Sequence, residues 1–278
     1  MSVLDISVSP TELDRWRDHL APPRQPFFLT RADTERLNLP ATPRRLLQLT
    51  PEERDTCTTW AVAQEADRVT WLTPVDWDAL PPGARRELLR LQVQYGRGNV
   101  PLGRHYADLL PGLAPGRFLW RRKQLTPQVL SRLVTQRGAP CQRRQVPPAV
   151  WDEARSLLPR VRELAGTFPQ GSAGNCFGAV MGAAGETGAE HEWTQREPFE
   201  QFLRKRATPG GRDGDAGTVL VWRSERGAEH AAVTLGGGWA FQKAAQTWWT
   251  PRVVLPLTEV KRTNRVRGWR LERWRLRE

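Results

Sequence analysis

Two kinds of hydrophobic spacing divide the chain. Through about residue 165, apolar residues recur at three- and four-residue intervals between prolines, the spacing of helices with one buried face. "SPTELDRWRDHL" opens with Ser9 as a predicted N-cap, Pro10 in the first turn and Glu12 placed to close a capping box. "TPRRLLQLTPEERDTCTTWAVAQEA" predicts two helices broken near Pro51, the second capped by Thr50 with Glu53. "LPPGARRELLRLQVQYG" and "TPQVLSRLVTQRG" repeat proline at entry and glycine at exit. "VPPAVWDEARSLLPRVRELAG" sets Val150, Ala154, Leu157, Leu158, Val161 and Leu164 on one stripe that ends near Gly166. "LAPPRQPFF" (20–28) reads as loop.

Beyond residue 165 the pattern changes. "NCFGAVMGAAG" and "EPFEQFLRKRA" still predict helices, but after the turn-rich "TPGGRDGDAG" the runs become short and β-prone. "TVLVW", "HAAVTL", "WAFQK", "RVVLPLTEV" and "GWRLERWRL" are the predicted strands, the last a basic edge strand, and the glycines at 236–238 mark a hairpin turn. Helices first and strands afterwards imply an α+β fold with an antiparallel sheet. The expected organisation is a mainly helical region over 1–150 and a second domain over 151–278.

Composition narrows the classes. No stretch is apolar and long enough to span a bilayer, and the N-terminus lacks the basic-then-apolar form of a secretory signal. Cys57, Cys141 and Cys176 are odd in number, far apart and without a CxxC pair, which argues against a disulfide framework or a cysteine-built zinc cage. A soluble cytoplasmic protein with reduced thiols is expected. The net charge of +12 and thirteen tryptophans give affinity for polyanions a physical basis, most visibly in "RTNRVRGWRLERWRLRE".

The candidate chemistry centres on Cys176. It opens a predicted helix, whose unpaired N–H groups and dipole stabilise a thiolate and an oxyanion. His230 begins a strand and can serve as its base; Gln242, on the strand after the glycine turn, can orient the imidazole. Asn175 and Phe177 flank the thiol at the expected oxyanion hole. "QTWWTPR" (246–252) offers Trp248, Trp249 and Arg252 as a cleft wall, with core packing as the alternative. "EHEWTQ" around His191 starts like a zinc-protease helix but has Gln195 where the second histidine belongs, so no metal site is predicted. Glycines 174, 178, 182, 185 and 188 lack the Gly-Lys-Ser/Thr of a phosphate loop, leaving close helix packing or a mobile loop near the thiol.

The cysteine-led helix, "GDAGTVLVW" and "HAAVTLGGGWAFQ" together resemble the NlpC-type branch of the papain-like cysteine peptidases over roughly residues 165–260. The resemblance implies a papain-like fold with Cys176 as nucleophile, His230 as base and Gln242 as orienting residue. Gly178 matches the glycine of the family's Cys-Ser-Gly segment. It also implies hydrolysis of a peptide or amide bond through an acyl-enzyme, without metal or cofactor. Phe177 stands where the family has serine, Asn175 where aspartate is common, and Gln242 where histidine, asparagine or aspartate is usual. Two other readings remain open at this level: an acyltransferase using the same pair, and a catalytically silent protein of the same fold that binds nucleic acid or another polyanion.

Overall fold

The computed structural model describes residues 1–136 and 138–277. The chain forms two compact units, one of Ser9–Leu133 and one of Met1–Val8 with Val134–Glu278. The expected boundary at residue 150 thus lies inside the second unit. The reason is packing: Val146, Val150, Trp151, Ala154 and Leu158 are buried in one core with the later helices and sheet.

At the start, β1 (Ser2–Val3) and β2 (Ile6–Ser7) pair antiparallel and belong to the second unit. The first unit then runs α1 (Pro10–Leu20), β3 (Gln25–Leu29), α2 (Arg31–Leu37), β4 (Thr42–Pro43), α3 (Pro51–Cys57), β5 (Arg68–Leu72), α4 (Pro74–Ala79) and α5 (Pro82–Gln94). The Ser9–Glu12 and Thr50–Glu53 capping boxes form as the sequence predicts. Residues 44–46 make only a 3-10 turn, since the stretch between Pro43 and Pro51 is too short for a stable helix. "QPFF" is not loop: β3, β5 and β4 form a small antiparallel sheet with Phe27, Phe28 and Leu29 fully buried. Gln92 of α5, itself buried, accepts from Phe28 N–H at 2.8 Å and donates to Phe28 C=O at 3.0 Å, acting as one more strand partner.

After α6 (Pro127–Thr135) come α7 (Pro148–Ala154) and α8 (Val161–Leu164); residue 137 of the predicted helix segment lies outside the described residues. The single stripe predicted here is split because Pro159 lacks an N–H and crowds the preceding turn. Val150, Ala154, Leu158, Val161 and Leu164 nonetheless all reach the core. Then follow α9 (Cys176–Ala183), α10 (Arg196–Arg206), β6 (Ala207–Pro209), β7 (Ala216–Ser224), β8 (Gly227–Gly236), β9 (Trp239–Lys243), β10 (Arg252–Pro256), α11 (Leu257–Thr263) and β11 (Arg270–Leu276). The strands form one antiparallel sheet in the order β10-β9-β8-β7-β11-β6. The architecture is α+β, as the pattern implied. "RVVLPLTEV" is strand only to Pro256 and then turns into α11. The basic strand β11 is not an edge, because Ala207–Pro209 pair with its last three residues. Among the described residues no helix is long and apolar enough to cross a membrane.

Candidate active site

Cys176 is the first residue of α9, and its neighbours define the helix start. Asn175 is extended (φ −116°, ψ −171°), and its Oδ1 accepts from the Gly178 N–H at 3.0 Å, an N-cap bond that satisfies one orphan donor. Its Nδ2 donates to Thr194 C=O at 2.6 Å, tying the cap to the segment before α10. Phe177 turns its ring into the core, stacked on Phe199 at 4.4 Å, and offers the thiol only its main chain.

Three of the glycines near the thiol are explained by close approach. A Cβ on Gly174 would lie 2.2 Å from Glu190 C=O, and one on Gly178 would lie 2.1 Å from Ala189 C=O. Gly182 faces the Glu190 carboxylate at 2.8 Å by the same measure. Residues 189–190 therefore lie directly against a side-chain-free face of α9, and close packing accounts for these three glycines; Gly185 and Gly188 instead hold positive φ (99° and 89°).

His230 and Gln242 meet across the β8–β9 hairpin. Gly236, Gly237 and Gly238 all have positive φ, and Val233 pairs with Phe241. Extending that register sets Gln242 on the diagonal from His230 on the same face. The imidazole Nε2 lies 3.1 Å from Gln242 Oε1, and both residues are buried. Trp222, the direct partner of His230 on β7, tilts against the ring at 5.4 Å. Asn264, at the C-cap of α11, donates through Nδ2 to the same Gln242 oxygen at 2.9 Å.

Cys176 and His230 both line one hollow of about 640 Å³, together with Asn175, Trp193, Glu229 and Gln246 among others. They reach it from different sides of β8. Ala231, Val233 and Leu235 pack with α9, whereas alternation along the strand turns His230 and Gln242 to the opposite face. No hydrogen bond joins Sγ to the imidazole.

The electrostatics make this a neutral pair at rest. Burial pushes the Cys176 thiol up to about 11; the Ala231 and Phe177 N–H groups and the Lys243 charge act against it without overcoming it. Burial likewise holds the His230 imidazole down at about 4, with the Gln242 bond opposing. A depressed thiol pKa, which the helix start alone implies, is not found, because desolvation outweighs the helix N–H groups.

Trp248, Trp249 and Arg252 do not line the hollow. Trp248 is buried, accepts no cleft role, and donates its N–H to Ser172 Oγ at 3.1 Å, with Trp249 edge-on at 5.0 Å. Arg252 is buried among Thr167 and the Glu190 main chain, which it reaches at 3.1 and 2.8 Å. The strand register, with Arg252 opposite Lys243 at the far end of β9, buries Arg252, and Trp248 is buried with it while Trp249 stays half-buried. His191 sits exposed on a 3-10 turn, and no group of three or more His, Cys, Asp or Glu among the described residues is placed to hold a metal.

Two residues near Cys176, His230 and Gln242 carry no sequence motif. Lys243 is fully buried, its Nζ donating to Ala245 and, at 3.1 Å, to Thr247 carbonyls. A lysine inside an apolar strand of an arginine-dominated chain was its one available signal. Asn264 had none, since nothing local ties it to β9. Searches against protein-family models, curated proteins and solved structures return no match for this chain.

Proposed function

We propose that the second unit is a papain-like, NlpC-type cysteine hydrolase that cleaves a peptide or amide bond. The observation that carries the reading is the His230–Gln242 hydrogen bond beside a hollow that a helix-leading cysteine also lines. In the proposed reaction the Cys176 S–H proton passes to His230 Nδ1 as sulfur attacks the carbonyl carbon. The resulting oxyanion is held by main-chain N–H groups at the start of α9, including that of Phe177. The imidazolium then protonates the leaving amine, and water, deprotonated by His230, cleaves the thioester and restores the thiol. Because the resting pair is neutral, proton transfer accompanies attack and does not precede it. Sγ and the imidazole reach the hollow from different sides of β8 at rest, so the proposed transfer requires the substrate complex to bring the thiol and Nδ1 together. The setting proposed with this reading is the reducing cytoplasm, which would keep the three cysteines as free thiols.

The test uses alkylation and hydrolysis together. Iodoacetamide should modify Cys176 faster than the buried Cys57 and Cys141 in the folded protein, and His230→Ala should slow that reaction. A library of fluorogenic amides should yield a substrate whose turnover vanishes in Cys176→Ala. Equal, His230-independent reactivity of all three thiols, with no amide cleaved, would overturn the proposal.

A second reading has its own observation. A groove of about 520 Å³ is lined by Trp222, Trp269, Lys261, Arg262 and Arg265, joining stacking surfaces to cationic groups on the strand β11 side. That combination suits a single-stranded nucleic acid on a catalytically silent protein. Salt-sensitive retention of single-stranded DNA, undiminished in Cys176→Ala and lost in Arg262→Ala/Arg265→Ala, is the result it requires.

A further inference from the structure

Three hydrogen bonds form a line from α11 to the ring of His230. Asn264 Nδ2 lies 2.9 Å from the Val260 carbonyl oxygen and 2.9 Å from Gln242 Oε1; Gln242 Oε1 lies 3.1 Å from His230 Nε2. The Val260 carbonyl can only accept, so the Asn264 atom facing it must be the NH₂ group. With one of its hydrogens on Val260, the other points at Gln242, whose facing atom must then be oxygen. That oxygen accepts, so His230 Nε2 must carry hydrogen. Reversing the Gln242 amide would require Asn264 to present its oxygen there, and the Val260 carbonyl would then face an oxygen.

We infer that Asn264 is a positioning residue that locks the Gln242 amide and thereby holds His230 in the tautomer with hydrogen on Nε2 and a free lone pair on Nδ1. The lock begins at a backbone carbonyl of the helix α11, which cannot itself be flipped or titrated. Asn264 is held there as the helix C-cap, its own N–H also reaching Val260 C=O at 3.2 Å. Gln242 alone does not supply this selection: an amide can offer oxygen to an Nε2–H or NH₂ to a bare Nε2 with nearly equal ease. A family aspartate in that place would accept in either orientation and need no lock. The neutral glutamine is what makes the outer residue necessary. The tautomer assignment stands on geometry alone, but its use in catalysis rests on the hydrolase reading, in which Nδ1 receives the thiol proton.

The experiment is long-range proton–nitrogen NMR on the full chain with labelled histidine, at neutral pH, the His230 signals assigned by their loss in His230→Gln. The expected wild-type pattern is a protonated Nε2 and an unprotonated Nδ1. Asn264→Asp replaces the donor with an acceptor, turns the Gln242 amide over and should move the hydrogen to Nδ1. Asn264→Leu, of similar size but without hydrogen bonds, should give a mixture of both tautomers. If the Leu variant does not fold, the Asp variant still decides. A His230 pattern unchanged in Asn264→Asp would overturn the inference. Neither spectrum needs turnover, so loss of the hydrolase reading leaves this result intact. Where an amide substrate is found, Asn264→Leu should lower kcat about tenfold or more with KM nearly unchanged, because Asn264 does not line the hollow.

Discussion

The imidazole of His230 and the amide oxygen of Gln242 meet at 3.1 Å on adjacent strands, away from solvent. A buried imidazole held neutral couples folding to pH. Its folded value of about 4 lies below the ordinary histidine range, so the unfolded chain binds the proton more readily. The stabilisation is therefore fully present above about pH 6.5 and is lost as pH falls toward 4. Between pH 7.5 and 4.5 the wild type should lose about 2–3 kcal/mol more stability than His230→Gln, read from urea unfolding curves. Parallel losses in both proteins would mean that His230 is solvated in the native state.

The contact of α9 with residues 189–190 allows a steric test. Gly178→Ala places a methyl group 2.1 Å from the Ala189 carbonyl, a backbone atom that cannot yield like a side chain. Thermal unfolding should show a loss of about 1–3 kcal/mol or more. Gly214→Ala, where the added carbon meets nothing within 4 Å, serves as the control and should stay within about 0.5 kcal/mol of wild type. Equal melting temperatures for the two variants would refute the close approach.

Arg252 is a structural residue and should behave as one. Arg252→Met removes the donors to Glu190 C=O and Thr167 Oγ1, beside a Glu190 carboxylate that pairs with Arg160. The expected cost is about 1–3 kcal/mol for the stranded acceptors, seen as a lower melting temperature. Cys176 alkylation, measured well below that temperature, should not change. A slower alkylation rate at unchanged stability would return Arg252 to the cleft.

Lys243 lies near enough to the thiol for its charge to favour the thiolate. Lys243→Met keeps most of the side-chain volume and removes that charge. Cys176 should then react with iodoacetamide about two- to tenfold more slowly at pH 8, and the pH at which its rate reaches half-maximum should rise. An unaltered rate profile would show that the ammonium is neutral or too distant to act.

The parts of this protein set by neighbours along the chain are those the sequence determined by itself. Caps at Ser9, Thr50 and Asn175, proline entries, and the glycine turn at 236–238 depend on contacts within a few residues, and each forms where the pattern puts it. The same local logic brought His230 beside Gln242, because a tight hairpin leaves little freedom of register. It failed where a residue's meaning depends on distant segments. "QPFF" became a buried strand only because β5 and Gln92 supply partners. Trp248 and Arg252 were buried away from the hollow where the chain turns into the β9–β10 pairing, with Trp249 half-buried beside them. The state of the thiol was also a tertiary decision. A helix start lowers a thiol pKa through a few N–H groups, but burial against β8 removes the water that would solvate the thiolate, and here the second effect is the larger. Asn264 completes the contrast: from another element, it supplies the hydrogen bond that orients a neutral glutamine.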